Sequence, residues 1–277
     1  MKAVVFSRAN GPRHIGRLDT DSITTLGPAS TAGFVPTIEN WAALSDASGE
    51  QFRLADVQLH APVRPGKILA IGLNYRDHAA ESELEVPPVP VVFSKFPTSI
   101  NDPGANIVIP YEETRPDFEG EVAIVIGRST YRATLDDALG AIGAITALHD
   151  VSGRRAQLET PLRQFTIGKS FDTFTPIGPC LAHPDGFDFA DIDITTVVSG
   201  ETMQRANTKH LIFPFAQLIE YLSRGITLEA GDIIATGTPG GVGDSRVPPR
   251  YLRDGDVVDI TVGGVGTLTN PVVRETI

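Results

Sequence analysis

The sequence predicts a mixed, β-rich α+β fold. Hydrophobic residues make up 41% of its 277 residues, which is enough for a substantial buried core. The 27 glycines and 21 prolines exceed the share of about 12% that these two residues have in average proteins, and such an excess favours many turns between strands. Short apolar runs typical of buried strands also outnumber the segments with helical periodicity.

The first 65 residues are predicted to form a small β-rich domain. They contain a predicted strand at residues 3–6, two predicted turns at Gly11-Pro12 and Gly27-Pro28, and at least one predicted helical turn at residues 41–44. We place the domain boundary at Pro65-Gly66, because this pair interrupts regular structure. Residues 66–277 then form a second, larger domain.

The second domain is predicted to alternate strands with short helices. Apolar runs predict strands at residues 67–71, 91–93, 119–126, 142–148, 232–236 and 257–262. The predicted helices are residues 74–83, 135–141 and 211–222. The last of these begins around Pro214 and has on one face Phe215, Leu218, Ile219 and Leu222. Residues 86–90 include three prolines and predict a stiff loop.

Composition excludes several classes of function. The formal net charge is −11, and the sequence lacks the basic stripe that nucleic-acid binding needs. No apolar run approaches the ~18 residues of a membrane-spanning helix, and Arg8 interrupts the apolar N-terminal segment, unlike in a signal peptide. The single cysteine, Cys180, lies in an apolar stretch and predicts a buried thiol in a reducing compartment. We therefore expect a soluble, cytoplasmic protein without nucleic-acid or membrane partners.

Glu119 and Glu121 are the first candidate functional residues. Residues i and i+2 of a strand point to the same face, so these two carboxylates are expected side by side at the polar end of a buried strand. Without a counter-charge they repel each other, and one is expected to hold a proton. A hard divalent cation removes this conflict, because oxygen ligands suit Mg²⁺, Mn²⁺ and Ca²⁺. The alternative is a pair of solvated glutamates at a strand end.

Asp150 strengthens the metal hypothesis. It follows the predicted strand at residues 142–148, and residues at the end of a strand commonly face a site. His149 is a competing ligand, but adjacent strand residues face opposite sides, so only one of the two can point to the metal. The two glutamates favour the aspartate. We therefore predict a metal bound by Glu119, Glu121 and Asp150, with Mg²⁺ as the expected ion and Mn²⁺ or Ca²⁺ as alternatives.

Two further pairs have spacings that indicate a chemical role. Arg154 and Gln157 follow Asp150 by four and seven positions, so in a helical turn all three share one face. Arg154 would then offer a forked donor for a substrate carboxylate. His78 and Glu81 are three residues apart on a predicted helix, and a carboxylate that orients an imidazole is suited to general-base catalysis. For either pair, the alternative is an ordinary solvent-facing location.

A glycine-rich loop, residues 237–243, follows the strand predicted at residues 232–236. It lacks the Gly-Lys-Ser/Thr ending of a P-loop, and the residues after it cannot open a helix as a dinucleotide-binding fingerprint requires. Its exposed backbone amides and the Thr238 hydroxyl could instead bind a carboxylate.

These segments, in this order, resemble the fumarylacetoacetate hydrolase family. The matching strings are GLNYRDHAAE (72–81), PDFEGEVAIVIG (116–127), LHDVSGRRAQ (148–157), FTIGKSFDT (165–173) and GDIIATGTPGGVG (231–243). The resemblance extends over about residues 65–277, whereas the first 65 residues match only loosely. It implies a catalytic core of the family's β-roll type, a small N-terminal domain, and assembly as a homodimer.

The resemblance also implies a role for each candidate residue. The family's metal triad corresponds to Glu119, Glu121 and Asp150, and its catalytic His–Glu pair, carried on a lid, corresponds to His78 and Glu81. The residues that match the family's substrate-anchoring positions are Arg154, Gln157, Lys169 and Thr238. Tyr75 matches a tyrosine of the lid.

On this basis the sequence predicts a metal-dependent hydrolase that cleaves the C–C bond of an acylpyruvate-type β-diketo acid, such as fumarylpyruvate, to pyruvate and a carboxylic acid. His78, oriented by Glu81, is expected to activate water, and Lys169 is expected to stabilise the developing enolate. Together the triad, a dication, Arg154 and Lys169 carry a formal charge of +1, which favours an anionic 2-oxo acid. The alternatives are an isomerase of the 2-hydroxyhepta-2,4-diene-1,7-dioate type, an oxaloacetate decarboxylase, and a metal-stabilised binding protein without enzymatic activity.

Overall fold

The structure is a computed structural model that describes residues 1–9 and 11–276. Within these residues the strands are β1 Lys2–Ser7, β2 His14–Leu18, β3 Ser22–Pro28, β4 Gln51–Arg53, β5 Gln58–His60, β6 Ile68–Gly72, β7 Val91–Lys95, β8 Ile100–Asn101, β9 Ile107–Ile109, β10 Pro116–Asp117, β11 Gly120–Ile126, β12 Ile142–His149, β13 Ser152–Gly153, β14 Thr175–Ala182, β15 Asp193–Val198, β16 Glu201–Asn207, β17 Ile233–Ala235, β18 Val257–Val262 and β19 Gly266–Arg274. The helices are α1 Ile38–Ser45, α2 Arg76–Glu81, α3 Leu135–Ala138, α4 Arg154–Leu158, α5 Phe165–Gly168 and α6 Phe215–Ser223. Short 3₁₀ turns are Leu54–Asp56, Pro97–Ser99, Leu139–Ala141 and Thr208–His210.

Two sheets contain all but two of the strands in the described part of the chain. The larger has twelve strands and follows the order β4-β3-β2-β1-β14-β12-β11-β17-β6-β7, with β5 beside β1 and β8 beside β14. The smaller has the order β16-β15-β18-β19-β9, and β10 pairs separately with β13. Most neighbours are antiparallel, but β6 and β17, β8 and β14, and β9 and β19 run parallel. The predicted mixed, β-rich α+β fold is confirmed.

β11 and β12 form the centre of the larger sheet. Every residue of both strands is buried, and strands covered on both faces have near-continuous apolar sequences. The two strands are antiparallel, with Gly120 opposite His149. The start of β11 therefore lies beside the end of β12. As a result the Asp150 N–H donates to the carbonyl oxygen of Glu119 at 2.9 Å.

The N-terminal segment is continuous with this sheet. β1 pairs with β14, with Lys2 opposite Ala182, and β2, β3 and β4 extend the sheet beyond β1. α1 packs onto the sheet through Trp41, whose indole N–H donates to the carbonyl oxygen of Gly143 at 2.8 Å. The predicted strand at residues 3–6 and the helical turn at residues 41–44 are confirmed. The domain boundary after residue 65 stays a prediction.

The helices are short. The longest, α6, has nine residues, and its buried face includes the four predicted residues Phe215, Leu218, Ile219 and Leu222. No helix in the described part of the chain is both long and apolar enough to cross a membrane. The predicted helix at residues 135–141 is α3 followed directly by a 3₁₀ turn.

Two kinds of sequence prediction differ from the structure. The predicted turn at Gly27-Pro28 is wrong, because both residues belong to β3 and pair with Ile15 and His14 of β2. β14 is also absent from the predicted strands, although all but one of its residues are buried. Pro176 and Pro179 interrupt its apolar run, and proline argues against a strand because it cannot donate to the ladder.

Replacing Trp41 with alanine is expected to lower the free energy of unfolding by about 3–5 kcal/mol, as for other buried aromatic residues. Trp41 is 4% exposed, and its ring centroid lies 4.7 Å from that of Phe34 in an edge-to-face arrangement. Urea denaturation measures the change. Ile38→Ala on the same helix is the matched control, because Ile38 is 82% exposed and should change stability by less than about 0.5 kcal/mol. Equal effects of the two variants would contradict the role assigned to α1.

Candidate active site

Three acidic side chains converge where β11 begins and β12 ends. Glu119 immediately precedes β11, Glu121 is its second residue, and Asp150 follows β12. Each is buried and offers a carboxylate oxygen, and these oxygens lie within 4.8 Å of one another. The structure thus brings together the three residues that the sequence analysis selected, and we call them the acidic triad. Metal binding by the triad stays a prediction.

Two lysines supply positive charge beside the acidic triad. Lys169, directly after α5, donates from Nζ to Glu119 Oε2 at 2.7 Å and to Asp150 Oδ2 at 2.6 Å. Lys95, the last residue of β7, donates to Asp150 Oδ1 at 2.6 Å, to the carbonyl oxygen of Phe174 at 3.1 Å and to that of Lys169. An ammonium has three N–H donors. Lys95 therefore uses all of its donors inside the protein, whereas Lys169 keeps one for a ligand.

The carboxyl groups of the triad have very different proton affinities. Burial alone would raise the pKa of Glu119, but Lys169 and Arg154 hold that pKa well below its usual range. Burial raises the pKa of Glu121 well above its usual range, and the charges of Asp150 and Glu119 add to the shift. One carboxyl of the triad is therefore protonated when no cation is bound. A divalent cation fits this all-oxygen donor set, because its charge would replace that proton.

His149 does not join the acidic triad. Burial lowers its pKa to about 3, and the nearby charge of Lys95 contributes to the decrease. Its Nε2 atom is buried and has no hydrogen-bond partner among the described residues. The imidazole is therefore neutral. Of the two neighbouring residues, Asp150 is the one whose side chain lies beside Glu119 and Glu121, as expected from the sequence.

Arg154 links the triad to α4. It is the first residue of α4, and its Nη2 atom donates to Glu119 Oε1 at 2.6 Å. Nε donates to Asp117 Oδ2 at 2.9 Å, and Nη1 donates to Gln157 Oε1 at 2.9 Å. Arg154 and Gln157 thus share a face of the helix, as predicted. The helical turn does not extend back to Asp150, as that prediction required, because residues 152–153 form β13 and α4 begins only at Arg154. The guanidinium, however, already binds two protein carboxylates, so neutralising Glu119 and Asp117 is its first role in this structure.

Two carboxylates that the sequence analysis missed hold Arg154 in place. Asp117 is fully buried and also accepts from the N–H groups of Gly243, at 2.7 Å, and Asp244, at 3.0 Å. Glu113 accepts from the N–H groups of Arg155 and Ala156, both at 3.1 Å, and so satisfies free donors at the start of α4. No local spacing marks either residue, because the partners named above lie about 40 to 130 positions away along the chain.

His78 and Glu81 lie on α2 and contact each other as predicted. The distance from His78 Nδ1 to Glu81 Oε1 is 2.7 Å. Glu81 Oε2 also accepts from the N–H of Gly241 in the glycine-rich loop at 2.7 Å. Glu81 is therefore held from both sides, and it fixes the imidazole so that Nε2 is the nitrogen available to a ligand. The catalytic role of the pair stays a prediction.

The glycine-rich loop also contacts the triad. The Gly237 N–H donates to Glu121 Oε2 at 2.8 Å, and Gly237 has φ +101°. A Cβ atom at this position would lie 2.7 Å from the Cβ of Asn74, so glycine is required. Thr238 Oγ1 donates to the carbonyl oxygen of Gly120 at 3.0 Å and accepts from Gln204 Nε2 at 2.8 Å. Gln204 is a further neighbour of the site that the sequence analysis missed.

A cavity of about 370 Å³ opens onto these groups. Of the predicted site residues, those that line it are His78, Glu81, Glu119, Arg154, Gln157, Lys169 and Thr238. Tyr75 is not among the lining residues. It is fully buried, and burial together with the charge of Glu121 raises the pKa of its hydroxyl. Its predicted contact with substrate therefore stays a prediction. A cavity of this size suits a small molecule.

A protein-family model described as fumarylacetoacetate (FAA) hydrolase, C-terminal, matches residues 67–273. The chain belongs to the fumarylacetoacetate hydrolase family. The five motifs that indicated this resemblance in the sequence all lie within or at the edge of the matched range. The protein is therefore described, at a coarse level, as an enzyme of this family. Membership of the family argues against the alternative of a binding protein without enzymatic activity.

Individual members of the family differ in the reaction that their names state. The chain is 45% identical over 228 residues to an oxaloacetate tautomerase of Bacillus subtilis (strain 168), covering 80% of this chain and 75% of the relative. It is 42% identical over 243 residues to a 2,4-didehydro-3-deoxy-L-rhamnonate hydrolase of Sphingomonas sp. (strain SKA58), covering 85% of each. The crystal structure of a 5-carboxymethyl-2-hydroxymuconate delta-isomerase from Mycobacterium smegmatis matches with a TM-score of 0.83 and 34% identity over 100% of both chains.

Replacing Lys95 with methionine is expected to lower the free energy of unfolding of the metal-free enzyme by about 3–5 kcal/mol, because it leaves the buried Asp150 carboxylate without one of its partners. Thermal unfolding in EDTA measures the loss, with the exposed Lys209→Met as the matched control. Since a divalent cation would neutralise Asp150 in place of the ammonium, added Mg²⁺ should restore more stability to the variant than to the wild type. A loss no larger than that of Lys209→Met would contradict this role of Lys95.

The raised pKa of Glu121 predicts a pH-dependent metal affinity. The folded, metal-free protein holds a proton on Glu121 that the unfolded chain has lost, so its stability falls as pH rises from the ordinary glutamate pKa through the raised one. A cation must displace the same proton, so Mg²⁺ affinity should rise with pH over that window. Calorimetry in buffers of different ionisation enthalpy measures the released proton. Glu121→Gln should bind Mg²⁺ more weakly and without this proton release. A pH-independent wild-type affinity would refute the assignment.

Proposed function

We propose that the chain is a divalent-metal-dependent enzyme that interconverts the enol and keto forms of a small 2-oxo diacid of the oxaloacetate type. The observation that carries the proposal is the buried acidic triad, with Lys169 beside it and His78 on the wall of the same cavity. The Bacillus subtilis relative, which is named an oxaloacetate tautomerase, supports this reaction among those that the triad could serve.

Glu119, Glu121 and Asp150 would hold the cation, since their oxygens are close together and buried. When bound, a divalent cation supplies Lewis-acid stabilisation of negative charge on the 2-oxo acid. Mg²⁺ remains the expected ion on the chemistry of the donor set, and Mn²⁺ and Ca²⁺ accept the same ligands. The two lysines and Arg154 offset the negative charge of the three carboxylates, which keeps the cavity attractive to an anionic substrate.

Lys169 is proposed to act on the C2 oxygen of the substrate. Its third N–H donor has no oxygen or nitrogen partner among the described residues, and the residue lines the cavity. Negative charge develops on the C2 oxygen in the enolate that separates the two tautomers, and a fixed ammonium donor stabilises it. Arg154 and Gln157 line the same cavity and are proposed to orient the carboxylate next to C2. Thr238 also lines it and is proposed to join them by exchanging its present acceptor, the carbonyl oxygen of Gly120, for the substrate.

His78 is proposed to move the proton at C3. In the direction from enol to keto, the C2 hydroxyl loses its proton to solvent, and the protonated imidazole delivers one from Nε2 to C3. The imidazole then recovers a proton from solvent. Glu81, which contacts Nδ1 at 2.7 Å, stabilises the protonated ring and fixes its orientation. Leu73, Val91 and Phe93 form an apolar part of the same cavity wall.

Hydrolysis of a C–C bond is the second candidate, and it includes the acylpyruvate cleavage predicted from the sequence. The Sphingomonas relative named as a hydrolase favours it. Here His78 would take a proton from water, which attacks the distal carbonyl carbon, and the same Lys169 contact would stabilise the enolate that leaves. The isomerase and oxaloacetate decarboxylase alternatives use this enolate as well. They differ from hydrolysis in needing no attacking water. The expected homodimer also remains a prediction.

Replacing His78 with alanine is expected to lower kcat for oxaloacetate tautomerisation by about 10²–10⁴-fold, the usual contribution of a general acid or base. The decay of enol absorbance in Mg²⁺ measures the rate, and EDTA should abolish wild-type activity. His210→Ala, an exposed histidine outside the cavity, is the control and should behave as wild type. An unchanged kcat in His78→Ala would remove His78 from the mechanism. Wild-type cleavage of acylpyruvates without tautomerisation would favour the second candidate.

A further inference from the structure

Arg163 differs from the other cationic groups of the cavity. Arg154 and Lys169 also line it, but both contact Glu119, and His78 contacts Glu81. The Arg163 side chain has no ion pair with any described residue of the chain. It is therefore an exposed guanidinium on the wall of the cavity whose donors are not taken by any described side chain or carbonyl group.

The backbone presents Arg163 at a fixed place. The residue lies between α4 and α5, and its N–H donates to the carbonyl oxygen of Thr160 at 3.0 Å. The next N–H, of Gln164, donates to the carbonyl oxygen of Gln157 at 2.8 Å. Arg163 has φ +53°, a left-handed conformation that few residues other than glycine adopt. These two hydrogen bonds close the turn that contains Arg163. Along the chain the turn lies between Gln157 and Lys169, both of which are proposed to bind the substrate.

The chemistry of a 2-oxo diacid calls for a second cationic partner. One carboxylate and the C2 oxygen belong at the acidic triad and Lys169, and the opposite carboxylate must lie elsewhere in the cavity. The other groups there are apolar, such as Leu84, acidic, such as Glu83, or uncharged hydroxyls, such as Ser245. A guanidinium matches a carboxylate through two parallel N–H donors. Arg163 is the described lining residue that meets this need.

We infer that Arg163 binds the distal carboxylate of the substrate and makes the site selective for 2-oxo diacids over 2-oxo acids with an uncharged tail. The inference rests on the proposed function, because that function places the other end of the substrate at the triad. It assigns Arg163 to substrate specificity and leaves the proton transfer to His78.

Glu83 is the competing partner for Arg163. It also lines the cavity, and among the described residues its carboxylate has no ion pair. It follows α2 directly after Ser82, with φ +53°, and it is exposed. If Arg163 served only to pair with Glu83, removal of either side chain would have the same effect. Binding of a substrate carboxylate predicts different effects for the two.

The test compares oxaloacetate with phenylpyruvate, a 2-oxo acid whose distal group is neutral, in tautomerisation assays with Mg²⁺. Arg163→Ala should raise KM for oxaloacetate about tenfold, which is a typical effect of losing one charged hydrogen-bonded contact. It should leave kcat for oxaloacetate nearly unchanged, because the contact is made equally in the ground and transition states. Both constants for phenylpyruvate should stay as in the wild type.

Two control variants separate this contact from other roles of the side chain. Arg155→Ala removes a neighbouring arginine whose Nη1 atom donates to the carbonyl oxygen of Glu112, and it should alter neither substrate. Glu83→Gln should not raise KM for oxaloacetate. The inference is overturned if Arg163→Ala affects both substrates equally, if it affects neither, or if Glu83→Gln reproduces its effect.

A binding measurement keeps the inference separate from the proposed function. If the wild type tautomerises neither acid, the proposed function fails, and calorimetric titration with oxaloacetate and pyruvate in Mg²⁺ then decides about Arg163. Tighter binding of oxaloacetate than of pyruvate, with the difference lost in Arg163→Ala, supports the distal contact. Equal binding of the two acids by the wild type, or a preference retained in the variant, overturns it.

Discussion

The burial of three carboxylates next to one another is the constraint on which the site depends. Glu119, Glu121 and Asp150 are all buried, so their mutual repulsion must be balanced by groups of the protein or by a bound cation. Lys169 and Lys95 contribute two ammonium groups, and a proton on Glu121 relieves the remaining conflict. A site balanced in this way is prepared to exchange a proton for a dication.

The balancing groups come from segments that are far apart in the sequence and that the larger sheet brings together. Lys95 ends β7, at one edge of the sheet, while Lys169 follows α5. Arg154 comes from α4, whose start is held by Glu113. The antiparallel register of β11 and β12 places the three carboxylates side by side. The cationic groups contact the carboxylates at that point. The acidic triad is thus a consequence of strand pairing, and the cationic groups are placed relative to it.

Local spacing explains which parts of this arrangement could be predicted from the sequence. The i, i+2 pair of Glu119 and Glu121 and the i, i+3 pair of His78 and Glu81 have their partners within a few residues, and the family motifs covered the rest of the expected site. Lys95 and Asp117 could not be found in this way. Lys95 contacts residues 55 to 79 positions away, and only the folded sheet brings them near. β14 was missed for a different reason. Prolines usually indicate the end of a strand, but this strand continues through both of its prolines.

The glycine-rich loop has a consequence for how such an enzyme can diversify. Its backbone N–H groups contact three carboxylates from three other segments: Gly237 contacts Glu121, Gly241 contacts Glu81 and Gly243 contacts Asp117. These donors belong to the main chain, so they persist when side chains that line the cavity are exchanged. Residues such as Arg163 can therefore vary during evolution, and substrate preference with them, while the alignment of the triad and the histidine is inherited unchanged.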